Sequence, residues 1–171
     1  MSQAYRDYRH IRFSLDRAEV NITKLLNLFQ IATFWANTRQ SSDMMIALEN
    51  SDPVVTVWDA DQLIGFARAT SDGIYRATIW DVVIDPDYQG AGLGRKLVQT
   101  VLSHPKMSKV ERIYLMTTHQ QKFYERIGFT YNSTTTMIIY NKPVEIGEEH
   151  TCLSDHQSSS YHSCVSLEIE Q

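Results

Sequence analysis

Cysteine is scarce in this chain of 171 residues: there are two, Cys152 and Cys164, and both lie near the C-terminal end. The stretch expected to form the core therefore has no disulfide, and nothing marks an oxidising compartment. An apolar run long enough for a signal peptide or a membrane span is also missing, and the N-terminal arginines Arg6, Arg9, Arg12 and Arg17 are interspersed with Asp7 and Asp16. These absences predict a cytoplasmic protein that does not enter membranes. Basic charge is not in excess either, with 16 Lys and Arg against 20 Asp and Glu. Phosphate-backbone affinity comes mainly from clustered cations, so a general nucleic-acid binder is excluded. No internal repeat is visible.

What charge there is falls unevenly. Residues 143–171 carry six acids (Glu145, Glu148, Glu149, Asp155, Glu168 and Glu170) and no Lys or Arg. They are also rich in serine and lack a periodic apolar face, which predicts a flexible tail. Residues 1–142 keep all 16 basic groups and the other 14 acids, and with 43% hydrophobic residues overall the chain is long enough to bury one sizeable core. The tail's Cys152, His156, His162 and Cys164 are spaced unlike any familiar zinc finger, so no metal site is assigned.

Periodicity orders the elements. Arg9–Leu15 alternates and predicts a first strand, after which Asp16 and Glu19 form a capping arrangement. Ile22, Leu25, Leu26, Phe29, Ile31, Ala32 and Trp35 then recur at helical spacing and predict a helix to about Trp35. Ser41, Ser42 and Asp43 are candidate caps for a second short helix carrying Met44, Met45 and Leu48, ended at Asp52–Pro53. Val54–Trp58, Leu63–Ala69 and about Ile74–Ile84 predict an antiparallel meander. Leu93, Leu97, Val98, Val101 and Leu102 mark a third helix, followed by a strand over Val110–Met116, a helix over His119–Ile127 and a last strand over Thr136–Tyr140. The order β-α-α-β-β-β-α-β-α-β predicts a mixed α+β domain with helices covering a central sheet.

The most informative stretch runs from Asp81 to Lys96: a strand, a turn, a glycine-rich loop and a helix start. Gly90, Gly92 and Gly94 remove Cβ atoms, so successive N–H groups are free to close around a pyrophosphate at the positive end of a helix dipole. A P-loop requires Lys then Ser or Thr after its last glycine, and Gly94-Arg95-Lys96 lacks it; a dinucleotide fingerprint places its third glycine one residue later. The loop instead resembles motif A of the GNAT superfamily of N-acetyltransferases, Gln/Arg-x-x-Gly-x-Gly/Ala, in Gln89-Gly90-Ala91-Gly92-Leu93-Gly94. Tyr124-Glu125-Arg126-Ile127-Gly128-Phe129 resembles the same family's Tyr-x-x-x-Gly-Phe signature, and the likeness covers about residues 10–142. Gly65–Asp72 and Ala77–Val82 are similar to a plastid and cyanobacterial branch that includes plant serotonin N-acetyltransferases and plastid protein acetyltransferases.

The resemblance implies a GNAT-like α+β fold, a mixed central sheet with helices on both faces, and acetyl transfer from acetyl-CoA, the donor cosubstrate, to a primary amine. It implies that Val82, Val83 and Ile84 pair with the pantetheine arm and that Gln89, Gly90, Ala91, Gly92, Leu93, Gly94 and Arg95 hold the pyrophosphate. Where many members have Asn before the tyrosine, this chain has His119 and Gln120, so no contact is assigned there.

Attack on a thioester needs a deprotonated amine, an oxyanion stabiliser and a proton for the departing thiolate. By the resemblance Tyr124 is the proton donor; on the residues alone it is equally an aromatic packed beside Phe123 and Ile127. Asp81 is the candidate base, because Asp is uncommon within a strand and burial raises a carboxyl pKa; the other reading is a structural carboxylate satisfied by backbone donors. His119 is an alternative base or a helix cap. Phe34 and Trp35 are either acceptor-pocket walls or core. The acceptor is left open between an arylalkylamine such as serotonin or tryptamine, a protein lysine and a protein N-terminus. A non-catalytic coenzyme A-binding or protein-interaction module on the same fold is the rival.

Overall fold

The computed structural model describes residues 8, 10–36, 38–132, 136–137 and 139. In chain order the elements are β1 (Arg12–Ser14), α1 (Ile22–Ala32), α2 (Ser41–Glu49), β2 (Val54–Asp59), β3 (Gln62–Ser71), β4 (Arg76–Ile84), α3 (Leu93–Leu102), β5 (Arg112–Tyr114) and α4 (Gln121–Glu125), with 3-10 turns at Arg17–Glu19 and Pro86–Tyr88. This is the expected order up to α4. The last strand expected over 136–140 falls across residues outside those described, and so does the whole of 143–171. The elements all lie within the compact unit that ends at Tyr131.

The five strands form one sheet in the order β1-β2-β3-β4-β5, antiparallel except that β5 runs parallel to β4. Side chains of successive strand residues point to opposite faces, and both faces here are covered. Val55 and Val57 of β2, Ala67 and Ala69 of β3, and Ala77 and Ile79 of β4 pack with Leu93, Leu97, Val98 and Val101 of α3. Val54, Trp58, Leu63 and Phe66 pack with Leu25, Leu28 and Phe29 of α1 and Met44 and Leu48 of α2. A sheet sandwiched in this way explains why β2 is apolar with little alternation: its residues from Val54 to Trp58 are all buried.

Local chemistry moved several element ends. Asp16 caps only the 3-10 turn, accepting from the Ala18 N–H at 2.9 Å, and α1 begins later because Asn21 accepts the Lys24 N–H at 3.0 Å. The helix closes at Ala32, since Thr33 is extended, which puts Trp35 (45% exposed) beyond its end, and Ile31 (60%) lies within the helix but off its buried stripe. None of the three side chains expected to cap α2 does so; Gln40 holds the cap position, and its side chain donates back to the Thr38 carbonyl at 3.2 Å instead of capping the helix. Strand β4 starts at Arg76 rather than Ile74 because the Asp72 carboxylate gathers the N–H groups of Ile74, Tyr75 and Arg76 into a turn, and these donors hold it below the usual carboxylate range.

One glycine sets the sheet's spacing. A Cβ on Gly65 would lie 2.6 Å from Ile84 Cδ1 and 2.9 Å from Val57 Cγ2, so the three strands meet only because the atom is missing. Gly65→Ala should therefore destabilise the domain by about 1–3 kcal/mol through overpacking, measured as a lower urea midpoint at unchanged slope; an unchanged midpoint would mean that the core relaxes around the methyl group.

Candidate functional site

Three pieces converge where β4 ends. The first is a free strand edge. Strand β5 pairs with β4 only through Arg76↔Arg112, Ala77↔Ile113 and Thr78↔Tyr114, while β4 continues to Ile84 with β3 alone. The edge of Val82, Val83 and Ile84 that faces away from β3 thus has no strand against it among the described residues. An extended, amide-bearing ligand fits such an edge as an added strand does.

The second piece is the loop into α3. Its start is pinned: Asp85 accepts from the Asp87 N–H at 3.0 Å and from Gln62 Nε2 at 3.2 Å, and the Tyr88 hydroxyl donates to Asp59 Oδ2 at 2.7 Å. Gln89 turns its side-chain amide back onto the Ile84 carbonyl at 3.0 Å, so this expected cofactor residue buttresses the loop. Beyond it the backbone opens. Gly90 and Gly92 have φ of +82° and +80°, and an added Cβ at either would meet no atom within 4 Å. No acceptor within the described residues takes the N–H groups of Gly90, Ala91, Gly92, Leu93, Gly94 or Arg95. Six consecutive free amides at a helix start make a concave donor surface for an anion. Of the nearby cations, Arg95 donates once to the Arg126 carbonyl at 3.2 Å and keeps its other donors. The Lys96 ammonium instead sits 4.4 Å from the Phe13 ring centroid.

The third piece is α4. A Cβ on Gly94 would come within 3.4 Å of Phe123 Cζ and 3.8 Å of Ile84 Cγ1. The third glycine of the loop thus lies beside Phe123 and the end of β4, at distances where a Cβ would make ordinary van der Waals contact, so it marks where α4 meets the start of α3. Phe123 stacks edge-on with Tyr124 at 4.9 Å between ring centroids, and Tyr124 does the same with Phe129 at 5.8 Å. The Tyr124 hydroxyl has no hydrogen-bond partner among the described residues, yet no buried polar side-chain atom is left unsatisfied, so its oxygen opens to solvent. Burial of the ring pushes the phenol up from 10.0 to about 12, keeping it a neutral donor.

Asp81 lies apart from these pieces in its bonding. Its carboxylate takes Arg39 Nη1 at 2.7 Å and Nη2 at 2.8 Å, and Arg68 Nε at 2.6 Å, with its side chain 4% exposed. A general base needs an oxygen directed at its proton, and both of these oxygens are held by guanidinium groups. The base role expected for Asp81 therefore does not fit this geometry, and the donors are arginine side chains rather than backbone. The two arginines were not singled out in the sequence; Arg68 between Ala67 and Ala69 in a central strand, facing an equally misplaced Asp81, was the signal available. His119 is exposed and does not cap α4, since Thr117 Oγ1 is what accepts the Gln120 N–H, at 3.1 Å. Phe34 and Trp35 are 70% and 45% exposed, so neither is core.

Residues 22–129 match the Acetyltransferase (GNAT) family. The Uncharacterized N-acetyltransferase ycf52 of Pyropia yezoensis is 36% identical over 116 residues, 62% of this chain and 66% of that protein. The GCN5-related N-acetyltransferase 2, chloroplastic, of Arabidopsis thaliana is 39% identical over 106 residues, 61% of this chain and 40% of that one. The chain thus spans two thirds or less of these relatives' length. A crystal structure of an acetyltransferase ascribed to the GNAT family from Xanthomonas campestris pv. campestris superposes with a TM-score of 0.67 at 26% identity, covering 76% of this chain and 94% of that one.

The left-handed backbone at Gly92 is directly testable. Gly92→Ala should cost about 1–2 kcal/mol because an L-residue is strained there, whereas Gly92→Asn, which tolerates that conformation, should cost less. Equal midpoints for the two variants in chemical denaturation would contradict the φ of +80°.

Proposed function

Because the chain belongs to the GNAT family of acetyltransferases, we propose that it transfers the acetyl group of acetyl-CoA to a primary amine by direct attack on the thioester. The observation that carries this reading is the continuity of the free β4 edge with the six unpaired amides from Gly90 to Arg95. One row suits an extended pantetheine arm and the other a diphosphate, and the left-handed glycines leave open space where that group would lie. Val82, Val83 and Ile84 would hold the arm, and Gly90 to Arg95 the diphosphate. Bound there, acetyl-CoA supplies an already activated acyl group.

The chain's own contribution is to place groups around the carbonyl. An N–H on the β4 edge faces the oxygen that gains charge as the C–N bond forms. Tyr124 gives its phenol proton to sulfur as the C–S bond breaks and recovers a proton from solvent. The attacking alkylamine has an ordinary pKa of ~10.4, so freeing its lone pair at pH 7 costs about 4–5 kcal/mol. With Asp81 held by two arginines, water carries that proton away. The acceptor is a small arylalkylamine or a protein lysine or N-terminus; the exposed Phe34 and Trp35 rings, on the α1 side of the sheet, offer apolar surface to either.

Thiol release from acetyl-CoA with tryptamine, serotonin and lysine-containing peptides tests the proposal, alongside calorimetric titration with coenzyme A. Saturable coenzyme A binding that Gly92→Trp abolishes, together with turnover of at least one amine class, is the expected result. Binding without turnover across the panel would favour the non-catalytic module, and no binding at all would overturn the reading.

Tyr124 makes a sharper case. Tyr124→Phe should lower turnover by about 10²-fold or more, the usual contribution of a positioned acid, with coenzyme A affinity within about twofold. The phenol ionises only near pH 12, so the wild-type rate should rise with pH as the amine deprotonates, with no decline from Tyr124 below about pH 10. The same shift bears on stability. Folding favours the protonated form, so the contribution is whole below the unfolded pKa of 10.0 and is lost as pH rises towards 12. Unchanged turnover in Tyr124→Phe would remove the residue from the mechanism.

A further inference from the structure

Strand β4 carries an extra residue. Between Phe66↔Val83 and Arg68↔Trp80, β3 advances two positions and β4 three. The bulge lies at Asp81, whose φ of +55° is left-handed. Its effect can be followed in the side chains: Ala77 and Ile79 face α3, and strict alternation would send Val83 the same way. Val83 instead joins the core under α1 and α2, and Ile84 the one under α3. The bulge therefore resets which way the strand presents its last three residues, those proposed to meet the cofactor.

A non-glycine residue holds that conformation only when its surroundings fix it. Here the fixing groups are Arg68 from β3 and Arg39 from the end of the α1–α2 connection. Arg68 also donates to the buried Ser51 hydroxyl at 3.1 Å, and it is 14% exposed. Arg39 is fixed on its other side as well: its guanidinium carbon stands 5.3 Å from the Phe29 ring centroid and 5.0 Å from that of Trp35. One planar group thus joins the bulged strand to the C-terminal end of α1 and to the exposed indole beside it.

We propose that Arg39 is a positioning residue, whose forked pair with Asp81 and cation–π contacts with Phe29 and Trp35 hold the acceptor side of the site in register with the bulged cofactor strand. This rests on the acetyl-transfer reading. Arg68 alone continues to hold Asp81 when Arg39 is removed, so the strand and its cofactor edge persist while the α1 end loses its anchor. The forked pair with a carboxylate belongs to guanidinium, and lysine cannot form it.

The test uses the full chain with Arg39→Ala and Arg39→Lys, measuring acceptor KM, kcat, coenzyme A affinity and hydrogen exchange of peptides covering Thr33–Ala36 and Val82–Ile84. Acceptor KM should rise about tenfold in both variants, in line with the cost of small misplacements, with kcat and coenzyme A affinity within about twofold. Exchange should quicken over Thr33–Ala36 and not over Val82–Ile84. Unchanged acceptor KM and exchange would overturn the proposal. So would a parallel fall in every parameter tracking the melting temperature, or full rescue by lysine. If wild-type protein turned over no amine, the acetyl-transfer reading would fail by itself. The anchor would then be judged by exchange and by a double-mutant cycle of Arg39→Ala with Asp81→Asn on folding stability, where additive effects would overturn it.

Discussion

Backbone N–H and C=O groups that a fold leaves unpaired have to be met by water or by a ligand. This domain leaves two rows of them end to end. One arises because β5 is three residues long and β4 is nine, so the parallel ladder runs out after Thr78. The other lies where left-handed Gly90 and Gly92 turn the chain into α3 and its amides find no acceptor among the described residues. Neither row is a side-chain feature, which is why the site survives as a shape even though several of its side chains have other work.

That other work is mostly anchoring. Gln89 folds onto the Ile84 carbonyl, Tyr88 onto Asp59 and Lys96 onto Phe13. Each contact ties the flexible glycine stretch to a rigid neighbour, so the amides keep their direction before any ligand arrives. Preorganisation of this kind lowers the ordering cost of binding. The charge near the loop is modest by comparison, with Arg95 the cation best placed to turn towards an anion. A diphosphate held here, as proposed, would be recognised chiefly by dipoles and shape.

Much of the fold was legible in the sequence, and what was not has identifiable causes. The α3 stripe of Leu93, Leu97, Val98 and Val101 ends where expected, at Leu102, because its apolar spacing and the His104–Pro105 stop agree. Element starts were less legible, because Asp16 and Asn21 are both good caps and only packing decides between them. Gly94 shows the same limit within the site. In the sequence it is one glycine of a binding loop, whereas in the fold it lies beside Phe123, a residue nearly thirty positions away. Asp81 was recognisable as anomalous, but its partners lie 13 and 42 residues earlier and no periodicity links them.

Phe123 also links the amide row to Tyr124. It touches the Gly94 position, at the front of the amide row, and its ring lies against Tyr124. The aromatic packing of Tyr124 against Phe123 and Phe129 also removes water from around its ring. Desolvation disfavours the phenolate, so the group is kept protonated by the contacts that place it. Position and protonation state are therefore not independent properties of Tyr124: a change that loosened Phe123 would alter both where the phenol lies and how readily it ionises.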